Sequence, residues 1–400
     1  MKRVVITGSG TVNPLAQDVA GTLAAMRDGR GAIGPLQFRD VARLTVRIGA
    51  QIRDWRPETR FSRADLTMMD PFSQFAVVAA RQAVAEAALT FDGELADTTG
   101  VIIGSAGGGL STMDDNYRAV YEAGKSRVHP FVVPRLMLNA AASHIAMGLG
   151  LQGPVFAVSS ACSSANHAIG QAFQLIRSGA ARVMLAGGSD AMLCFGGIKA
   201  WEGLRVLSET GCRPFSAGRD GMVMGEGAAV FVLEEMDHAK ARGAGILAEV
   251  AGFAMTSDAA DMVQPSVAGA ARAMWLALRD AGLAPEAIGY VNAHGTGTAA
   301  NDRAECAAIA QVFGTAVPPI SSTKSMHGHL MGGAGAVELL ACLLALRQGV
   351  LAPTIGHVAG DADCALDVVA NVARDAKVRA TLSNSFAFGG LNAVLALKSV

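Results

Sequence analysis

Along the 400 residues, short β-branched runs alternate with alanine-rich stretches of helical period, with no low-complexity linker between them. That alternation leaves few folds open. Strands that take turns with helices assemble into layered α/β structures whose sheets are buried on both faces. The pattern predicts strands over residues 4–7, 100–104, 154–159, 182–186, 228–233, 248–253, 288–292, 319–322, 380–383 and 393–398. Helices are expected over 72–89, 163–178, 270–281, 302–313 and 334–348, where apolar residues recur every 3 or 4 positions.

A weak internal echo runs through this pattern. VFAVSSAC, a strand entering a small-residue turn and then a helix, has a counterpart in PISSTKSMHGHLMGGAGAVELL. Likewise FSAGRDGMVMGEGAAVFVLEE and NSFAFGGLNAVLALKS each place a glycine-rich loop before an apolar strand. Internal repeats decide fold assignments. Here they predict two similar α/β halves, residues 1–250 and 251–400.

Composition excludes several function classes. Lys+Arg 33 against Asp+Glu 34 gives a net charge of −1, and 51% hydrophobic with 17% charged residues is too apolar for disorder and too neutral for a nucleic-acid-binding surface. The best apolar run, 334–346, is shorter than the roughly 18 residues of a membrane helix and carries Glu338, so no membrane insertion is expected. The opening MKRVVITGSG lacks the apolar core of a secretion signal, so a cytoplasmic location is expected. The six cysteines contain no C-x-x-C pair, which argues against a disulfide framework or a zinc knuckle.

VVITGSGTVNP begins like a dinucleotide-binding strand and loop. Asn13 stands at the third glycine position, however, and no acidic residue ends a second strand, so no nicotinamide site is expected. Cys162 is more informative, because it lies at a strand-to-helix turn. A helix N-terminus lowers a thiol pKa, to about 3.5–7.5 at reactive sites, and makes a thiolate nucleophile. His294 ends another strand and is followed by Gly295, Thr296, Gly297 and Thr298; Lys324, His327 and His329 crowd a glycine-rich turn ahead of Glu338. A cysteine and histidines on loops at strand ends are the set that cysteine–histidine catalysis uses. His327 with His329 could also ligate a metal, but no further ligands stand at suitable spacing, so no metal is expected.

SSACSS around Cys162, NAHGTGT around His294, STKSMHGHLMGGAGAVE around His329 and NSFAFGGLN near the C-terminus resemble, in order, the signature segments of β-ketoacyl-acyl-carrier-protein synthases. These are decarboxylating condensing enzymes of the thiolase superfamily. The likeness covers essentially the whole chain and is closest to the KAS II group. PVFAVSSACSSANHAI, AGGSDA, CRPFSAGR and His327 resemble specialised, nodulation-protein-E-like synthases more than the housekeeping enzyme.

The resemblance implies a five-layer αβαβα thiolase-like fold built from two pseudo-repeated halves, the first carrying the nucleophilic cysteine and the second both histidines. It implies a decarboxylative Claisen condensation in which Cys162 takes an acyl group from the phosphopantetheine arm of acyl carrier protein. His294 and His329 then assist decarboxylation of malonyl-carrier protein, and the backbone N–H groups of Cys162 and Phe388 form the oxyanion hole. Lys324 and Glu338 are the implied supporting pair, Thr296 and Thr298 face the pantetheine amides, and Phe388 gates the nucleophile. No cofactor is implied. Gly107, where relatives carry a larger residue, is expected to widen the acyl pocket, and Ala387, in place of a usual glycine, to restrict the Phe388 loop. Arg63 and Arg205, helped by Arg60, are expected to dock the acidic carrier, and a homodimer is expected. One alternative is a chain-length-factor-like partner subunit, which would lack the nucleophile that Cys162 supplies. Another is a specialised synthase for nodulation-factor or polyene-type acyl chains. A thiolase would need a second cysteine in the loop that reads NSFAFGG here.

Overall fold

The computed structural model describes residues 1–400. Ten strands form one hydrogen-bonded sheet: β1 (Val4–Val12), β2 (Gly100–Gly104), β3 (Val155–Val158), β4 (Val183–Asp190), β5 (Gly227–Glu235), β6 (Ala248–Ser257), β7 (Tyr290–Asn292), β8 (Ile320–Ser321), β9 (Ala380–Ala387) and β10 (Leu391–Lys398). The order is β3-β2-β4-β5-β1-β6-β10-β9-β7-β8. Each half repeats one topology outward from the middle. The first strand pairs antiparallel with the last, that one antiparallel with a third, and the three outer strands run parallel. The echo in the sequence is this repeat: β3 and β8 occupy matching edge positions, and β5 and β10 match likewise. The second repeat opens at Ala248, so residue 250 falls inside β6.

Six helices complete the layers: α1 (Pro71–Ala87), α2 (Ala140–Leu149), α3 (Ser164–Ser178), α4 (Val267–Ala281), α5 (Ala299–Phe313) and α6 (Ala334–Gln348). Strand side chains alternate faces. On β5, Phe231 and Leu233 join Ile169 and Phe173 of α3 and Leu340 and Leu344 of α6 in a central core, which Leu395 and Leu397 of β10 close from the other side. Val230 and Val232 point the opposite way, onto Phe75 and Ile145 of α1 and α2. Met274 and Ile309 of α4 and α5 cover the outer face of the second half, against Val291, Leu382 and Val394. The layers are thus helix, sheet, helix, sheet, helix, as expected.

Two details differ from the reading of the sequence. The half-sheets are joined, because Val4–Ile6 of β1 pair with Ala248–Val250 of β6; β1 then shifts register between Ile6 and Gly8, and the shared ladder ends. Second, α6 and the turn before it, Met331–Gln348, form an 18-residue stretch long and apolar enough to cross a membrane by length and composition. It is instead the central helix, with every residue from Ala334 to Leu344 buried against the two half-sheets. A helix apolar on all sides needs such surroundings.

Gly8 and Gly10 belong to no nucleotide loop. Both lie inside β1 under α1, where an added Cβ would come within 2.0 Å of the Ala83 carbonyl and 1.9 Å of the Ala79 carbonyl. Gly252 of β6 admits α4 in the same way, its Cβ position lying 2.6 Å from the Ala277 carbonyl. Gly10→Val should lower the unfolding free energy by about 1–3 kcal/mol or more through overpacking, read from a denaturant midpoint. An unchanged midpoint would mean that α1 has room to retreat.

Candidate active site

The nucleophile turn follows β3. Ala161 takes φ +49, a left-handed conformation rare outside glycine, and Cys162 follows it directly ahead of α3. Such strain persists only where neighbours over-determine it. The serines of SSACSS do so here. Ser163 Oγ donates to the Ser160 carbonyl at 2.8 Å, Ser164 Oγ to the Ala161 carbonyl at 2.6 Å, and the Ser160 N–H to Ser164 Oγ at 2.9 Å.

The topology brings β7 and the turn before α6 beside that sulfur. Cys162 Sγ and one ring nitrogen from each of His294 and His329 all lie within 4.8 Å of one another, and all three residues are buried. The imidazole centroids are 5.4 Å apart at 83°. Hydrogen bonds fix what each ring presents. The Met331 N–H donates to His329 Nδ1 at 3.1 Å, which leaves the proton of the neutral ring on Nε2, an atom buried with no partner. Lys324 Nζ lies 3.3 Å from His294 Nδ1; its ammonium can only donate, so the His294 proton also sits on Nε2. Burial first, and then the Lys324 charge, holds both imidazoles well below the usual histidine range. Both rings are therefore neutral N–H donors.

Cys162 departs from expectation. Burial pushes its thiol up to about 12, against the pull of Lys324, while Asp190 and Glu338 add to the rise. A helix N-terminus is worth up to about 2 kcal/mol, less than desolvation costs in so dry a site. The resting sulfur keeps its proton.

These groups face a cavity of about 240 Å³ that Thr296, Thr298, Trp201 and Phe388 also line. Thr296 and Thr298 bond each other through their hydroxyls at 2.9 Å. The Phe388 ring stacks on Trp201 at 5.8 Å. Neither the Cys162 nor the Phe388 N–H donates to a backbone carbonyl. Ala387 ends β9 in ordinary strand pairing with Leu391, and the positive φ values of the turn fall on Gly389 and Gly390, so position 387 has no conformation that requires glycine. Lys324 and Glu338 form a fully buried ion pair.

Other expected residues stand elsewhere. Gly107 does not line the cavity, and the space its missing side chain leaves is filled by Met192, whose Sδ lies 2.7 Å from the Cβ position. None of the three arginines, Arg60, Arg63 and Arg205, lines the cavity: Arg205 follows the lining residue Leu204 and precedes the lining residue Val206 in the chain, and Arg60 lies over the Trp55 ring and bonds Gln17. His327 does not join His329 as a ligand pair, because its ring nitrogens bond the Gly328 carbonyl and Thr323 Oγ. One sulfur and two imidazoles are donors that zinc accepts. Here the Lys324 charge beside His294 opposes a cation.

Sequence reasoning missed the carboxylates that carry the His294 loop. Glu305 accepts the N–H groups of His294 at 2.8 Å and Gly295 at 2.7 Å, and Asp302 accepts those of Phe215 at 2.8 Å and Gly297 at 3.2 Å. Both are buried near the start of α5, and burial pushes Glu305 up to about 7. The available signal was two acids three residues apart, on one face of a helix directly after NAHGTGT.

The chain resembles known proteins along its whole length. The family "Beta-ketoacyl synthase, N-terminal domain" matches residues 1–239, and "Beta-ketoacyl synthase, C-terminal domain" matches 247–357. The chain is 49% identical to Nodulation protein E of Rhizobium sp. (strain N33), over 100% of both chains. It is 40% identical to 3-oxoacyl-[acyl-carrier-protein] synthase 2 of Staphylococcus aureus (strain N315), over 99% of this chain and 98% of that one. The solved structure of the ishigamide ketosynthase/chain length factor superposes with a TM-score of 0.96 at 37% identity, covering 100% of this chain and 99% of that one.

Lys324→Met should destabilise the protein by about 3–5 kcal/mol, because it strands the Glu338 carboxylate without its cation. The double variant with Glu338→Leu should recover much of that loss. Thermal unfolding of the pair reads the difference, and equal losses in single and double variants would show that the ion pair is not the cause.

Proposed function

The chain belongs to the β-ketoacyl synthase family and is a condensing acyltransferase, and we propose that Cys162, His294 and His329 carry its reaction in one cavity. The observation that supports this most directly is the common reach, 4.8 Å, of one sulfur and two imidazoles contributed by different halves. Cys162 Sγ attacks the carbonyl of an acyl thioester on a carrier-protein arm, and the oxyanion faces the free N–H groups of Cys162 and Phe388. The carbon–sulfur bond to the arm breaks. The departing sulfur takes up the proton that Cys162 gives away, so a thiol with a raised pKa suffices.

Malonyl-carrier protein then enters. Its carbon–carboxylate bond breaks, carbon dioxide leaves, and the electron pair becomes an enolate whose oxygen accepts the Nε2–H groups of His294 and His329. Two neutral donors in a dry site suit a charge that appears only as the reaction proceeds. The enolate carbon attacks the acyl-enzyme, a carbon–carbon bond forms, and Cys162 leaves as a thiolate that takes a proton from solvent. Thr296 and Thr298, on the cavity wall, bind the pantetheine amides, and Phe388 on Trp201 gates the entrance. No cofactor takes part in these steps.

The carrier docks at the mouth, where Arg205 meets its acidic surface. Greater identity to Nodulation protein E, 49%, than to the Staphylococcus synthase, 40%, favours a specialised acyl chain over housekeeping elongation. The presence of Cys162 counts against a non-catalytic partner subunit. The protein works in the cytoplasm as a homodimer. Edge strand β3, which carries the exposed Phe156, is the surface that a second copy would cover. Sedimentation should give a dimer that Phe156→Arg weakens; a monomeric wild-type protein would overturn that assembly.

Cys162→Ala should fold normally yet form no acyl-enzyme by mass spectrometry, and condensation retained in that variant would refute the nucleophile. Cys162→Gln should still release carbon dioxide from malonyl-carrier protein. His329→Ala should slow that release about 100- to 1000-fold.

A further inference from the structure

His329 is useful as a donor only while its proton stays on Nε2, and that depends on the backbone two residues on. Met331 has φ +48, an unfavourable conformation for its type, and this turns its N–H onto His329 Nδ1. On one side the turn is anchored at His329 itself, whose N–H donates to the Val223 carbonyl at 2.7 Å and whose carbonyl accepts the Gly225 N–H at 2.8 Å. On the other side the anchor is a carboxylate. Asp190, at the end of β4 in the opposite half of the molecule, accepts the Gly332 N–H through Oδ2 at 2.6 Å.

Asp190 is fully buried. Besides Gly332 it accepts Ser105 Oγ at 2.7 Å, the Ala106 N–H at 3.0 Å and the Gly107 N–H at 3.0 Å. All four partners are uncharged donors. The approach is tight: a Cβ on Gly332 would lie 2.4 Å from the Ala106 nitrogen and 2.8 Å from Asp190 Oδ2. The Cys162 turn is held by its own serines and has no hydrogen bond to Asp190.

We propose that Asp190 is a positioning residue for decarboxylation: by holding the Gly332 N–H it keeps Met331 turned onto His329, so that the imidazole presents its proton to the cavity. It acts through His329 and touches no substrate. The inference rests on the proposed roles of Cys162 and His329, and it divides the reaction, because acyl transfer to Cys162 does not use this linkage.

The test follows both half-reactions in the full-length protein, with acyl- and malonyl-carrier protein as substrates. Asp190→Asn turns one acceptor oxygen into a donor that faces N–H groups. Carbon dioxide release should fall about 100-fold, the scale expected when a reacting group is misplaced by roughly 1 Å, while acylation of Cys162, whose thiol loses a nearby charge that helps raise it, is not slowed. Nitrogen-15 spectra of the His329 ring should show a protonated Nε2 in the wild type and a mixture of tautomers in the variant. Gly332→Ala disturbs the same contact from the other end with the carboxylate retained, and should give the same selective loss even if Asp190→Asn does not fold. Equal losses in both half-reactions, no loss in either, or an unchanged His329 tautomer would overturn the proposal. A wild-type protein that neither acylates Cys162 nor decarboxylates malonyl-carrier protein would instead overturn the proposed function itself.

Discussion

One buried ammonium organises the site. Lys324 is fully buried and bonds Glu338, the His294 carbonyl and His294 Nδ1 at once. An ammonium so far from water is tolerable only with a carboxylate beside it, which Glu338 of the central helix supplies. Its charge then acts on every reactive group nearby. Together with burial, the larger cause, it keeps His294 and His329 neutral; it also directs the His294 proton toward the cavity and offsets part of the burial that raises the Cys162 thiol.

The chemistry favoured by such surroundings is one in which negative charge is created during reaction. Protonated imidazoles would bind the malonyl carboxylate in the ground state and oppose its departure. In the proposed reaction, neutral N–H donors, already aimed, act on the enolate oxygen as it forms. The high thiol pKa fits the same logic, since sulfur-to-sulfur acyl transfer carries its proton along and needs no standing thiolate.

Pseudo-symmetry explains why the residues come from both halves. Each repeat delivers a strand into a turn and a central helix, and packing those two helices against each other between the half-sheets brings the two turns together. The Cys162 turn belongs to one and the His329 turn to the other, while His294 arrives from β7 alongside. Carboxylates secure this junction at the backbone: Glu305 and Asp302 under the His294 loop, and Asp190 across the two halves.

All ten strands and the five expected helices were legible from local pattern, because a strand buried on both faces and an amphipathic helix each need their apolar residues at a fixed period. Cys162, His294 and His329 were legible through family likeness and their places at strand ends. Contact-dependent features were not. Gly8 and Gly10 look the same in a string whether they cradle a phosphate or admit a helix, and only the Ala79 and Ala83 carbonyls tell which. The packing of Met192 against Gly107 is likewise a contact between distant segments. Glu305, Asp302 and Asp190 are polar letters that resemble surface positions; their burial and their N–H partners come from segments far apart in the chain. Local periodicity therefore carried the architecture, and family likeness with strand-end position the candidate reactive side chains. Protonation state, tautomer and pocket shape waited for the folded molecule, because each is set by desolvation and by neighbours that no stretch of sequence contains.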